Sequence, residues 1–394
     1  MEPLYITAYT AVNALGRGGD AMLSALHQEK SGLQPLHFPP ADLHTYVGYV
    51  AGLDEEKLTP PLSQFDCRNN RLAQLALKQD GFEQKVAALR QRYGADRVAV
   101  LMGTSTSGIL NTELAFRQRD EAGALPENFD FAHTHQLSSL VDFVRQALRL
   151  EGPGHTISTA CSSSAKVFAD AWRLMACGLC DAAVVGGVDS LCLTTLYGFN
   201  SLELVAPSPC RPADRDRNGI SIGEGAGFAI LERNRDDGAH ARLLGYGESS
   251  DAYHMSTPHP EGEGAAQAMQ AALARAGLEP GEIDYINLHG TATPSNDRSE
   301  DRAISSVFGT ATPCSSTKGW TGHTLGAAGI TEAIIAMQCI EHGFMPASLN
   351  TEHLDPDFGS NILLQSREAE VKHVLSNSFG FGGSNCSLIF GSAA

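Results

Sequence analysis

A layered α/β fold, with helices covering sheets, is predicted by the alternation of strand-like and helical segments along this 394-residue chain. Composition agrees: hydrophobic residues make up 42% and charged residues 19%, enough apolar material for a large core. Forty glycines add many tight turns and close backbone approaches.

Strand character covers 97–102, 155–159, 182–185, 227–231, 242–246, 285–289, 373–378 and 386–390. Helical periodicity covers 161–177, 262–276, 299–308 and 327–342. In 262–276 the residues Ala265, Ala266, Met269, Ala272, Leu273 and Ala276 make one apolar stripe. The stretch 34–63, rich in proline, histidine and charges, reads as surface loops. There is no short repeat, but a coarse duplication is visible. In each half a strand leads to a reactive residue and then to a helix of small residues. The boundary falls where Asn234, Asp236, Asp237 and Gly238 cluster, giving halves 1–238 and 239–394.

The net charge of −17, from 28 basic and 45 acidic residues, argues against non-specific binding to nucleic acid or to an anionic membrane. No apolar run is long enough for a membrane span, and the first residues lack the basic start and apolar run of a secretory signal. A cytoplasmic protein is expected. The nine cysteines are scattered, which fits a reducing compartment. Cys177-Gly178-Leu179-Cys180 has metal-like spacing but no second pair, so it reads as core packing, and no metal site is expected.

The chemistry centres on Cys161. Thr156, Ile157 and Thr159 favour a strand before it, and Ala165, Phe168, Ala171, Trp172, Met175 and Ala176 recur at helical spacing after it, with Gly178 as the C-terminal cap. Cys161 is therefore expected within the first helical turn, where backbone donors lack partners and the helix dipole favours a thiolate. The same donors suit an oxyanion. On its own a cysteine is more often simply buried. Two histidine motifs downstream argue otherwise: His289-Gly290-Thr291-Ala292-Thr293 and Lys318-Gly319-Trp320-Thr321-Gly322-His323. A thiol with imidazoles arriving from elsewhere points to covalent acyl transfer. The Gly-rich Gly223-Glu224-Gly225-Ala226-Gly227 lacks the Lys-Ser/Thr of a phosphate loop and leads into a strand, so it reads as tight core backbone. His254 and His259 have no metal-like companions.

Further motifs join these in one order: Gly186-Gly187-Val188-Asp189, Arg211-Pro212-Ala213-Asp214-Arg215-Asp216-Arg217-Asn218-Gly219, Asp251-Ala252-Tyr253-His254-Met255 and Ser376-Asn377-Ser378-Phe379-Gly380-Phe381-Gly382-Gly383-Ser384-Asn385. Together the set resembles the β-ketoacyl-acyl-carrier-protein synthases, the elongating condensing enzymes of the thiolase-like superfamily. The resemblance implies a five-layered αβαβα fold built from two similar halves, and a dimer formed through the sheets.

It also implies roles. Cys161 would carry the acyl chain as a thioester, and His289 and His323 would support loss of CO2 from a malonyl thioester and the condensation that follows. Lys318 would hold the site's electrostatics, and Glu332 would stand behind it, near a structural cation in some relatives. The backbone N–H groups of Cys161 and Phe381 would form the oxyanion hole. Phe381, beside Gly380, would gate the site. Thr291 and Thr293 would bind the pantetheine arm. Arg68, Arg71 and Arg211 match positions that dock the acyl carrier protein, itself acidic. No organic cofactor is implied, because phosphopantetheine arrives on the carrier. The histidine pair separates the chain from initiating synthases, which carry His and Asn, and from degradative thiolases, which carry His and a second cysteine. Cys161 argues against a chain-length factor, which lacks the nucleophile. The implied assembly is a homodimer, or a heterodimer with a chain-length-factor-like homologue in which this chain is the catalytic subunit; a non-catalytic carrier-binding protein is the rival. Two departures, Lys318-Gly319-Trp320 and Thr106 at the gate of the acyl pocket, are similar to ketosynthases of bacterial aryl polyene clusters and put saturated fatty acids in doubt as the main product.

Overall fold

The computed structural model describes residues 1–234 and 238–393. The alternation read from the sequence is realised as a long sheet made of two halves of one design. In the first half, Val98–Gly103 lies parallel to both Gly154–Ile157 and Ala182–Asp189. Gly225–Glu232 and Leu4–Asn13 then follow antiparallel. The second half repeats this plan: Tyr285–Asn287 is parallel to Pro313–Ser315 and His373–Gly380, and Ser384–Ser392 and Ala241–Ser250 follow antiparallel. The halves join where Leu4, Tyr5 and Ile6 pair with Leu243, Arg242 and Ala241.

Two helices, Ser163–Ala176 and Ala328–His342, pack on each other and on strands of both halves. Arg68–Leu77, Phe82–Tyr93 and Ser138–Leu148 cover the outer face of the first half, and Glu263–Ala276 and Pro294–Phe308 that of the second. The order helix, sheet, helix, sheet, helix gives the five layers. Each helical layer has its own apolar cluster, the largest between the sheets. Strands buried on both faces read as continuous apolar runs, as Val98–Gly103 does. Every residue from Ala328 to Cys339 is buried, so this helix shows no polar face, and its one buried acid, Glu332, needs a dedicated partner.

Several boundaries move. Pro294–Phe308 starts ahead of the expected 299, because Pro294 opens the helix and the Thr293 side chain caps it by accepting from Asn296 N–H. Ser163–Ala176 starts after Cys161, not at it. The stretch expected as surface loops holds two short strands, Leu33–Pro35 and Tyr46–Gly48, in a small sheet with Ile222–Gly223. Of the residues that mark the expected boundary, Asp236 and Asp237 lie outside the described residues. No helix among the described residues is long and apolar enough to cross a membrane.

The two central helices touch at Gly329, where an added Cβ would sit 2.4 Å from the backbone nitrogen of Ala165. Gly329→Ala should therefore lower stability by about 1–3 kcal/mol through overpacking. Gly198→Ala, in a helix with open space at that point, should be neutral or stabilising by up to about 1 kcal/mol. Urea unfolding of both variants checks this; equal midpoints would contradict the packing argument.

Candidate active site

Cys161 lies at the junction of the edge strand Gly154–Ile157 and the helix Ser163–Ala176. Ala160 takes a left-handed φ of +52°, and Ser162 is the N-cap, so the thiol precedes the helix rather than sitting in its first turn. This bend turns the side chain inward, where it is 5% exposed. Burial pushes the thiol up to about 12, while the Lys318 charge and the Phe381 N–H draw it down. Against the expectation that the helix start favours a thiolate, desolvation outweighs the donors and favours the thiol.

His289 follows Tyr285–Asn287, and His323 follows the one-turn helix Lys318–Thr321. Their rings stand edge to face, 5.4 Å apart. His323 Nε2 is 3.0 Å from Cys161 Sγ, and the reactive atoms of all three residues lie within 4.8 Å of one another. The outer nitrogens fix the tautomers. Leu325 N–H donates to His323 Nδ1 at 3.2 Å, and the Lys318 ammonium reaches His289 Nδ1 at 3.4 Å. Each Nδ1 therefore accepts, and each neutral ring carries its proton on Nε2, facing the site. Burial first, and the Lys318 charge second, hold both imidazoles well below their usual 6.5. Two inward N–H donors make a poor metal site, since a ligating nitrogen must offer a lone pair.

Lys318 is 1% exposed and pairs with Glu332, 3% exposed, at 2.5 Å, while donating also to the His289 carbonyl oxygen. Burial raises the Glu332 carboxyl and the Lys318 charge opposes that. Glu332 Oε2 is buried with no hydrogen-bond partner among the described residues.

The sequence reading missed the residues behind His289. Glu300 accepts the N–H groups of His289 and Gly290 at 2.8 and 2.7 Å, and Asn377 donates to it at 3.1 Å. Asp297 accepts from Ala292 N–H at 3.1 Å and lies 3.7 Å from the Arg217 guanidinium. These acids share a helix face with Ala303, Ile304 and Phe308. Acids at apolar helical spacing were the available signal; in sequence they pass for a solvated face.

A pocket opens onto the three reactive residues and is lined by Thr291, Thr293, Phe379, Gly380 and Phe381 among others. The two threonine hydroxyls are 2.9 Å apart, and Phe381, 37% exposed, packs at a tilt against Phe199 in the lining. One expected pocket feature lies elsewhere. Thr106 is 3% exposed, does not line the cavity, and spends its hydroxyl and N–H on Asp189. Trp320 is fully buried in the central core, its indole N–H bonded to Ala347 O, so this departure changes packing rather than the cavity wall.

Two family models match the chain: "Beta-ketoacyl synthase, N-terminal domain" over residues 1–237 and "Beta-ketoacyl synthase, C-terminal domain" over residues 240–352. The chain is 42% identical over 262 residues to the mitochondrial 3-oxoacyl-[acyl-carrier-protein] synthase of Arabidopsis thaliana, a match spanning 61% of this chain and 57% of that protein. It is 33% identical over 311 residues to 3-oxoacyl-[acyl-carrier-protein] synthase 2 of Staphylococcus aureus, spanning 75% and 77% of the two chains. Among solved structures it is similar to a chain of a ketosynthase in complex with its chain length factor from Xenorhabdus doucetiae, at 40% identity, 99% and 98% coverage and a TM-score of 0.90. The ishigamide ketosynthase/chain length factor is similar at 29% identity, 99% coverage of both chains and a TM-score of 0.88.

The arginines read as a docking patch divide. Arg211 is partly exposed. Arg71 is half-buried and clasps Asp66 through two nitrogens at 2.6 and 2.7 Å. Arg68 is 8% exposed, forks onto the fully buried Glu224 at 2.8 and 2.9 Å and also reaches Asp54. The expectation for Arg68 is corrected: its charge neutralises an acid that also accepts the N–H groups of Val50 and Leu191, and it is not free for a carrier. Arg68→Ala should cost about 3–5 kcal/mol by stranding a buried carboxylate, and Arg71→Ala at most about 1 kcal/mol. Chemical denaturation checks the ranking; an Arg68→Ala protein as stable as the wild type would contradict it.

Proposed function

The chain belongs to the β-ketoacyl synthase family and is a 3-oxoacyl-[acyl-carrier-protein] synthase, a transferase; within that activity we propose that Cys161 is the acyl carrier and that His289 and His323 are the donor pair for the carbon nucleophile. One observation carries this reading: the Cys161 thiol and one ring nitrogen each of His289 and His323, all buried, converge within 4.8 Å of one another. Both rings are set as donors by their outer partners.

In the first step Cys161 sulfur attacks the carrier thioester and the pantetheine sulfur leaves. The proton that Cys161 gives up ends on that sulfur. The developing oxyanion is met by the N–H groups of Cys161 and Phe381, a role supported by the pull of Phe381 N–H on the thiol. In the second step a malonyl thioester enters past Thr291, Thr293 and Phe381. Its carboxylate leaves as CO2, and the electron pair moves onto the thioester oxygen, held by the two Nε2–H donors. Carbon then attacks the acyl thioester, the bond to Cys161 sulfur breaks, and the sulfur takes up a proton from solvent. Lys318 keeps the His289 proton inward, and Glu332 balances Lys318. The product is a β-ketoacyl chain two carbons longer, on the carrier.

We assign the carrier, with its phosphopantetheine arm, as the substrate-bearing partner and Arg211 as the docking arginine that remains of the expected patch. A second chain of the same family is the other partner. Leu114, Phe116, Leu125, Phe131 and Leu137 are exposed and Gly154–Ile157 is an edge strand, two features of the first half that support an interface with a partner chain. The likeness to the Xenorhabdus doucetiae ketosynthase, which was solved in complex with its chain length factor, favours a nucleophile-free homologue as that partner. The catalytic halves are 1–238, bearing Cys161, and 239–394, bearing the histidines. Aryl polyene or related polyketide chains are the proposed acyl class.

Intact-mass analysis with saturated and aryl-polyenoic carrier thioesters, alone and after co-expression with a chain-length-factor homologue, tests the reading. An acyl adduct absent in Cys161→Ala and elongated by malonyl carrier is expected. His289→Ala and His323→Ala should keep the adduct but lose about 10²–10³-fold in CO2 release, the usual effect of one oxyanion donor. Loss of the adduct with intact CO2 release would reverse the assignment.

The condensation should stay active down to a pH well below 6.5, because both rings resist protonation. A second proton would have to sit at Nδ1, against Lys318 or Leu325 N–H. Replacing the pair together, Lys318→Met with Glu332→Gln, removes the cation that disfavours the imidazolium. The acid limb of the rate profile should then move up in pH; a limb that stays put would show that Lys318 does not set it.

A further inference from the structure

Asp189 ends the strand Ala182–Asp189, is fully buried and has no part in the chemistry above. Its carboxylate accepts from the hydroxyls of Thr104, Ser105 and Thr106 at 2.7, 2.6 and 2.7 Å. It also accepts from the N–H groups of Ser105, Thr106 and Gly326 at 3.0, 2.8 and 2.5 Å. These donors are all neutral, so the buried charge is held by hydrogen bonds alone, and losing them would leave it stranded.

Two loops meet on this carboxylate: the turn after Val98–Gly103, and the turn Leu325–Ala327 that follows His323. The contact is filled, because a Cβ on Gly326 would lie 2.7 Å from Asp189 Oδ2 and 2.8 Å from Ser105 N. Ser105 Oγ adds a second hold on Gly326 N–H at 3.1 Å. The residue before Gly326 is Leu325, at a left-handed φ of +54°. A leucine keeps that conformation only where its surroundings impose it. In this conformation the Leu325 N–H points at His323 Nδ1.

We infer that Asp189 is a positioning residue for His323: by gripping Gly326 it holds Leu325 in the left-handed conformation and so keeps the His323 proton on Nε2, facing Cys161. The inference rests on the reading of His323 as an Nε2–H donor. Were the Leu325 N–H to turn away, Nδ1 could take the proton, and a lone pair would then face the forming enolate oxygen.

The test uses the full chain with ¹⁵N-labelled histidine rings, the His323 signals being assigned by their loss in His323→Ala. In Asp189→Asn an amide N–H₂ replaces one accepting oxygen and opposes the N–H groups that had bonded there. His323 should change from the Nε2–H form to a mixture of tautomers. CO2 release from malonyl carrier should fall about 10- to 100-fold, while acylation of Cys161 changes less than about 3-fold. Ser105→Ala, a milder cut in the same grip, should shift both readouts in the same direction by a smaller amount, and it serves where Asp189→Asn does not fold. A folded Asp189→Asn protein with His323 wholly in the Nε2–H form and undiminished CO2 release would overturn the inference. If His323→Ala itself leaves CO2 release unchanged, the donor reading fails instead, whatever Asp189 does.

Discussion

The active site depends on one buried ion pair, Lys318 with Glu332, placed where the central helix meets His289. An ammonium in the apolar core is tolerable only with an anion and hydrogen bonds around it, and here it has Glu332 and the His289 carbonyl oxygen. Its remaining reach is to His289 Nδ1. That geometry makes a structural pair into an electrostatic control. The same charge that Glu332 neutralises also keeps both rings free of a second proton and pulls on the Cys161 thiol.

Around this pair the fold stores strain where it needs direction. Ala160, Ala292 and Leu325 all take left-handed φ values, and each lies within three residues of Cys161, His289 or His323. None is glycine, so each conformation must be held by its surroundings. Asp297 accepts the N–H of Ala292, and the Leu325 N–H is spent on His323. Buried carboxylates thus act as backbone clamps: Glu300 on the His289 loop, Asp297 on the turn after it, and Asp189 on the turn after His323. Each accepts main-chain N–H groups that helices and strands leave over at their ends, which lets tight irregular loops survive inside a dry core.

The acidic balance of the chain takes on a different meaning. With Arg68 committed to Glu224 and Arg71 to Asp66, the positive charge read along 66–71 is largely cancelled where it stands. An acidic partner would meet little free basic surface on this stretch, and salt would screen the repulsion beyond about 8–10 Å. Leu114, Phe116, Leu125, Phe131 and Leu137 are exposed in the same half of the chain as the edge strand Gly154–Ile157.

The α/β class and the two-part plan were legible in the sequence because alternating apolar runs are local pattern; Cys161, His289 and His323 stood out as residues of short motifs, and the family resemblance gave them their expected roles. Tertiary structure alone decided the rest. Arg68 looks like a surface charge until Glu224, far along the chain, arrives beside it. Glu300 passes for a solvated acid, and Asp189 shows no role of its own in its motif, until backbone N–H groups from other segments close on them. Whether Cys161 rests as a thiol, and which nitrogen of each histidine holds its proton, are set by desolvation and by donors from distant loops. Those quantities depend on distance and dielectric, which exist only once the chain has folded.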